Sequence, residues 1–128
     1  IQIVNPTTPA NLFHLLRRQV LRKFRVPLVI FTPKSLLRYS ECVSKIEDLA
    51  EGTFQEIIDD DNTDVEKVSR VVFSFGKVYY DLLAEKKRLD VKNIALVRFE
   101  QVYPFPEKRF KEVIKKYSNA KLHLWVQE

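Results

Sequence analysis

Three groups of side chains in this 128-residue chain have types and spacings that could do chemistry. His14 stands one helical turn before Arg17 and Arg18, so an imidazole and a guanidinium could converge on one anion. The ordinary alternative for a lone helical histidine is a boundary residue with its hydrogen bond satisfied, and spacing leaves both open. Thr32-Pro33-Lys34-Ser35, with Arg38 shortly after, places hydroxyls and cations at the C-terminal end of an apolar run. Ligands of open α/β sheets bind at that end of the strands. These groups can hold a carboxylate or phosphate, though they also describe many ordinary loops. The third group is Asp59-Asp60-Asp61-Asn62-Thr63-Asp64. A calcium loop needs a glycine at its turn and a properly spaced glutamate; both are missing, so the run reads as a solvated loop.

Other chemistries are excluded more directly. The chain has two glycines, Gly52 and Gly76, and neither sits in a phosphate-cradling pattern. Its one cysteine, Cys42, rules out an internal disulfide and fits a reducing compartment. No apolar run is long enough to span a bilayer as a helix.

The elements that must position these groups are organised around residues 71–87. Val71-Val72-Phe73-Ser74-Phe75 reads as a strand buried on both faces, and Gly76 ends it. From Val78 the apolar period becomes helical, with Val78, Leu82 and Leu83 on one side and Lys77, Asp81, Glu85 and Lys86 on the other. Asn93-Ile94-Ala95-Leu96-Val97-Arg98-Phe99 is the next buried strand, parallel to the first through a right-handed crossover. A helix over Glu107 to Lys116 turns Phe110, Val113 and Ile114 inward, and Leu122-His123-Leu124-Trp125-Val126 makes a further strand. Between them, Arg98 to Pro106 reads as a rigid, twice-proline loop.

Upstream, Thr8 caps a helix with Pro9 at its first position. Leu12, Phe13, Leu16 and Val20 are expected to form its buried stripe, with His14 off it. Val26 to Phe31 is expected as a buried strand. Val43 to Ala50 could form a short helix stopped by Gly52, and Phe54 to Ile58 an edge strand. The fold class expected is α/β: a layered, mostly parallel sheet with βαβ crossovers. Ile1 to Asn5 read as the end of a strand, and no helix follows Val126, so the sheet is expected to be truncated at both ends.

A net charge of +5 conceals a block structure. Residues 1–40 hold seven basic side chains and no acid, whereas residues 41–66 hold ten acids and only Lys45. Such asymmetry suits a basic surface facing an anion, a partner or the chain's own acidic segment, and equally a solvated face beside an acidic linker. A basic nucleic-acid-binding module is the alternative from a different class. It lacks any recognised motif, so no nucleic-acid partner is expected.

Several blocks together resemble one family. Thr7-Thr8-Pro9-Ala10-Asn11, Phe13-His14-Leu15-Leu16-Arg17-Arg18-Gln19 and Phe31-Thr32-Pro33-Lys34-Ser35-Leu36-Leu37-Arg38 are similar to the thiamine-dependent decarboxylating component of the 2-oxoglutarate dehydrogenase complex. Gly76-Lys77-Val78-Tyr79-Tyr80-Asp81-Leu82, Glu100-Gln101-Val102-Tyr103-Pro104-Phe105-Pro106 and Trp125-Val126-Gln127-Glu128 follow in the same order. Tyr39-Ser40 depart from the family's usual His-Pro, and Phe75 and Val126 replace small or cysteine residues.

The resemblance implies a fragment of a longer oxidoreductase with a transketolase-like C-terminal domain. Residues 1–38 would end a pyrimidine-binding domain, 39–68 would link, and 69–128 would form most of the C-terminal domain. It implies thiamine diphosphate and magnesium in the parent enzyme but not in this chain, which lacks the family's Gly-Asp-Gly magnesium motif. It places His14 in the active-site set, as a hydrogen-bond donor to substrate or intermediate. Arg17, Lys34, Ser35 and Arg38 remain candidate anion ligands. The implied partners are a second copy in a homodimer and a lipoyl-bearing dihydrolipoyl succinyltransferase. The implied compartment is bacterial cytoplasm or mitochondrial matrix. A 2-oxoadipate dehydrogenase or a 2-oxoglutarate decarboxylase is the alternative within the same chemistry.

Overall fold

The computed structural model describes residues 1–128. Two sheets share the chain. The larger runs β3 (Ile57–Ile58), β5 (Ile94–Phe99), β4 (Arg70–Phe75), β7 (Leu122–Val126) in spatial order. β4 is parallel to both β5 and β7, with Val71 opposite Ala95 and His123, while β3 pairs antiparallel to β5 at the edge. The crossovers from β4 to β5 and from β5 to β7 run in opposite directions across the sheet, so two right-handed connections place their helices on opposite faces. α4 (Glu107–Lys116) covers one face, where Phe110, Val113 and Ile114 meet Val71, Phe73, Ala95, Val97 and Phe99. α3 (Val78–Arg88) lies against the other and buries Tyr80. The expected α/β layering and both crossovers are present.

Gly76 joins β4 to α3 with φ +83°, the left-handed region that favours glycine. A Cβ there would also lie 2.3 Å from Asn5 Nδ2, so the turn doubles as a close approach between the two halves.

The smaller sheet has the order β2 (Leu28–Ile30), β1 (Gln2–Val4), β6 (Gln101–Tyr103). β6 corrects the expectation of a rigid loop over Arg98 to Pro106: its three residues pair antiparallel with β1, almost a hundred residues earlier. So short a strand, directly before a proline, carries no local signal; its partner makes it. β2 also departs from expectation. It is a half-exposed edge strand, because only β1 lies beside it.

α1 (Pro9–Leu21) starts as its capping residues dictate, with Thr8 Oγ1 accepting from Asn11 N and Pro9 at the first turn. Of the expected buried stripe only Leu12 turns inward, and it is half-buried. Phe13, Leu16 and Val20 are 46%, 50% and 68% exposed, while Ala10, Asn11, His14 and Leu15 are buried. The reason is what the helix packs on: the stretch through α2 (Ile46–Glu51) to Gln55, together with Glu100, offers polar partners, so the polar side chains turn inward.

The acidic run is a solvated loop only in part: Asp61, Asn62 and Asp64 are exposed, but its first two residues are not. Asp59 and Asp60 side chains are 7% and 9% exposed. Asp60 accepts from Lys86 Nζ at 2.8 Å and Leu96 N at 3.0 Å, and Asp59 accepts from Tyr117 Oη at 2.7 Å and from Lys116. These bonds outweigh the upward push of burial and hold both carboxyls below the usual carboxylate range. The segment expected as a linker is thus pinned to α3, α4 and β5. No helix is long and apolar enough to cross a membrane.

Candidate functional site

The first turn of α1 and the bend after β5 build the site together. Asn11 and His14, three apart, share the inward face of α1. Asn11 Oδ1 accepts from Gln55 N at 2.8 Å, and its Nδ2 donates to Gln55 O at 3.0 Å and Glu100 Oε2 at 2.9 Å, so every polar atom of the amide is used. His14 is 4% exposed, lies edge-on to Phe13 with ring centroids 5.1 Å apart, and has Nε2 2.7 Å from Asp48 O. Its Nδ1 is buried without a partner. A cleft of about 220 Å³ opens beside these groups, lined by Asn11, His14, Ser44, Asp48, Gln55 and Arg98 among others.

Glu100 anchors the arrangement from beneath. It is fully buried and accepts from Thr7 N at 2.7 Å, from Thr7 Oγ1 and from Asn11 Nδ2. Burial pushes its carboxyl up, against the pull of the Arg98 cation and of the Thr7 and Asn11 donors. Arg98 donates to Thr7 Oγ1 at 3.0 Å and stacks on Tyr79, 3.9 Å from the ring centroid. Thr7 O in turn accepts from Tyr80 Oη and, at 3.2 Å, from Cys42 Sγ. Every polar atom of Thr7 is therefore tied to residues at least 35 positions later.

Of the candidate active-site and anion-binding residues, only His14 lines this cleft, and Asp61 of the acidic run borders it as well. Arg17 is exposed on α1. Lys34, Ser35 and Arg38 are exposed on a short 3-10 turn whose one inward side chain is Leu36. The structure does not gather these four around His14. Arg18 is the arginine in use: it stacks 4.0 Å from the Phe54 centroid and donates to Gln101 Oε1 at 2.8 Å. Burial, and next the neighbouring Arg22, pulls its guanidinium down to about 10, still cationic at neutrality.

Glu100, Arg98 and the Asp48 carbonyl went unnoticed in the sequence. Glu100 had a signal, since a lone acid following Ala95-Leu96-Val97-Arg98-Phe99 has few ways to reach water and must find donors. The Asp48 carbonyl had none, being backbone.

Comparison with known proteins matches the chain to a family. Residues 43–128 match the model of the 2-oxoglutarate dehydrogenase C-terminal region, and residues 1–40 match that of the transketolase pyrimidine-binding domain. The 2-oxoglutarate dehydrogenase E1 components of Cupriavidus necator and Azotobacter vinelandii are each 50% identical over 100% of the chain, which spans 14% of their length. A probable 2-oxoadipate dehydrogenase complex component E1 homolog of Dictyostelium discoideum is 46% identical over 98% of the chain and 14% of its own length. On these matches the chain belongs to the 2-oxoglutarate dehydrogenase C-terminal family, with residues 1–40 similar to the transketolase pyrimidine-binding domain.

Proposed function

We propose that the chain is part of an E1 component that oxidatively decarboxylates 2-oxoglutarate on thiamine diphosphate and passes the succinyl group to a lipoyl-bearing succinyltransferase. The observation that carries this is 50% identity to two such E1 components across the whole chain, with the two family regions in the same order. Residues 1–38 end the pyrimidine-binding domain, 39–68 connect, and 69–128 form most of the C-terminal domain. A homodimer belongs to the same proposal. It is supported by the apolar stripe of Phe13, Leu16, Val20 and Leu21, which lies exposed on α1. A bacterial cytoplasmic or mitochondrial-matrix setting goes with it.

Thiamine diphosphate, when bound, supplies the electron sink for loss of the substrate's carboxylate. No three of this chain's His, Cys, Asp or Glu side chains gather where they could hold a cation, so its residues do not fit the diphosphate–magnesium end of the cofactor. The contribution of these 128 residues is positional. Glu100 and Arg98 fix the start of α1 through Thr7 and Asn11, and α1 presents His14 at the cleft. A buried imidazole beside a polar cleft suits hydrogen bonding and proton transfer to a dianionic substrate or its intermediate.

The test is turnover by the full-length polypeptide containing this chain, with thiamine diphosphate and magnesium, on 2-oxoglutarate and on 2-oxoadipate. We expect 2-oxoglutarate to have the higher kcat/KM; absence of turnover, or preference for 2-oxoadipate, refutes the assignment. His14→Ala should lower kcat/KM by about 10- to 10³-fold. Because His14 is buried and bonded to Asp48 O, that variant also loses stability, by about 1–3 kcal/mol. His14→Gln keeps an N–H for Asp48 and separates the two effects: an active His14→Gln enzyme would remove His14 from the active site.

A further inference from the structure

His14 is held by one ring nitrogen only. Nε2 lies 2.7 Å from the backbone carbonyl of Asp48, and a carbonyl can only accept, so Nε2 carries a proton. Nδ1 is buried and meets no donor or acceptor, although the ring lines the cleft. The acceptor itself is packed tightly. A Cβ at Gly52 would lie 2.4 Å from Asp48 O and 2.8 Å from His14 Nε2. Gly52 has φ −78°, which any residue can adopt, so the glycine is needed for space and not for conformation.

We propose that the Asp48 carbonyl and the bare Cα of Gly52 are a positioning device, which holds His14 in the Nε2-protonated tautomer and leaves Nδ1 as the ring's one unpartnered lone pair, the nitrogen able to take a proton. The proposal rests on the reading of His14 as an active-site group. It changes that group's expected role: a neutral His14 offers a lone pair at Nδ1 where the family resemblance suggested a donor. A proton leaving a substrate or intermediate hydroxyl forms a new N–H bond at Nδ1 and gives an imidazolium. That same nitrogen returns the proton later, because the Nε2 proton stays bound to Asp48 O. The positioning residues act through the ring and touch no substrate.

Ring-¹⁵N-histidine spectra of the 128-residue chain test the device directly, with His123→Gln assigning its two histidines. The expected result is one neutral tautomer of His14, protonated at Nε2 and bare at Nδ1. Gly52→Ala should push the carbonyl and ring apart and give a tautomer mixture, whereas Glu51→Ala, an exposed neighbour, should not. In the full-length polypeptide, Gly52→Ala should lower kcat by about 10- to 100-fold with a far smaller change in KM, as for a small misplacement of a reacting group. A wild-type ring protonated at Nδ1 overturns the proposal, and needs no variant to show it. So does Gly52→Ala with an unaltered tautomer and wild-type kcat. The outcomes separate from the broader assignment: an active His14→Gln enzyme refutes the active-site reading, while an inactive one whose parent shows an Nδ1-protonated ring refutes the positioning device alone.

Discussion

Replacing Glu100 should unlock the first turn of α1, and the two obvious substitutions differ by a calculable amount. Glu100→Ala leaves three buried donors without an acceptor, namely Thr7 N, Thr7 Oγ1 and Asn11 Nδ2. At about 1–3 kcal/mol for each orphaned group, less what relaxation recovers, the loss should reach about 4 kcal/mol. Glu100→Gln is milder. Thr7 N and Asn11 Nδ2 both donate to Oε2, so an amide oxygen in that place keeps both; only the Thr7 hydroxyl proton loses its acceptor. That loss of about 1 kcal/mol is partly offset because a buried carboxylate no longer has to be desolvated. The pH dependence adds a sign. Burial raises the folded-state pKa of Glu100 above its ordinary 4.5, so its contribution to stability is fully present below that value and is lost as pH rises through the folded pKa. The advantage of wild type over Glu100→Gln should therefore shrink from acid toward neutral pH. Urea unfolding followed by the single tryptophan, Trp125, at several pH values measures all three chains. An alanine variant no less stable than the glutamine variant, or an advantage that grows with pH, would refute the reasoning.

Asp60→Asn should cost about 3 kcal/mol, because Lys86 is left with a poorer partner in a site where its side chain is 16% exposed. Asp60 has a depressed pKa, so its contribution is present above the unfolded value of 3.8 and lost as pH falls through the folded one; acid should destabilise wild type more than Asp60→Asn in the same urea series. Gly76→Ala should lose about 2 kcal/mol or more by thermal melting, through φ +83° and the contact with Asn5. On α1, Leu15→Ala should cost about 2–5 kcal/mol, while Leu16→Asp should change stability by under about 0.5 kcal/mol in the monomeric chain, reversing what the sequence pattern alone suggests.

The strand–glycine–helix stretch from Val71 to Lys87 is legible in the sequence because its determinants are local: an apolar run, a turn residue and a change of period. The same holds for the Thr8–Pro9 start of α1 and for the inward face of α4. The inward face of α1 is not legible. Apolar periodicity names Phe13, Leu16 and Val20, but the face that packs within these residues is chosen by acceptors and donors 34 to 89 positions away. Asp59 and Asp60 fail for the same reason: charge in a loop implies water unless Lys86, Lys116 and Tyr117 are known to converge there. In the site, His14 emerges through family resemblance, whereas Lys34, Ser35 and Arg38 lie exposed on a turn outside the His14 cleft, a separation that local spacing cannot reveal.

One residue separates β5 from β6, and it is Glu100. The chain therefore passes from the larger sheet into the smaller with at most about 3.6 Å of backbone to spare, too little for a hinge. The bend is also fastened, since Glu100 N and Gln101 N both donate to Glu56 O and Glu100 O accepts from Asn5 N. A peptide cut in the turn between residues 40 and 43 would consequently not release two independent bodies. The second piece would carry β6, a strand of the first piece's sheet, so the halves should behave as a split protein whose parts recognise each other by the strand they share.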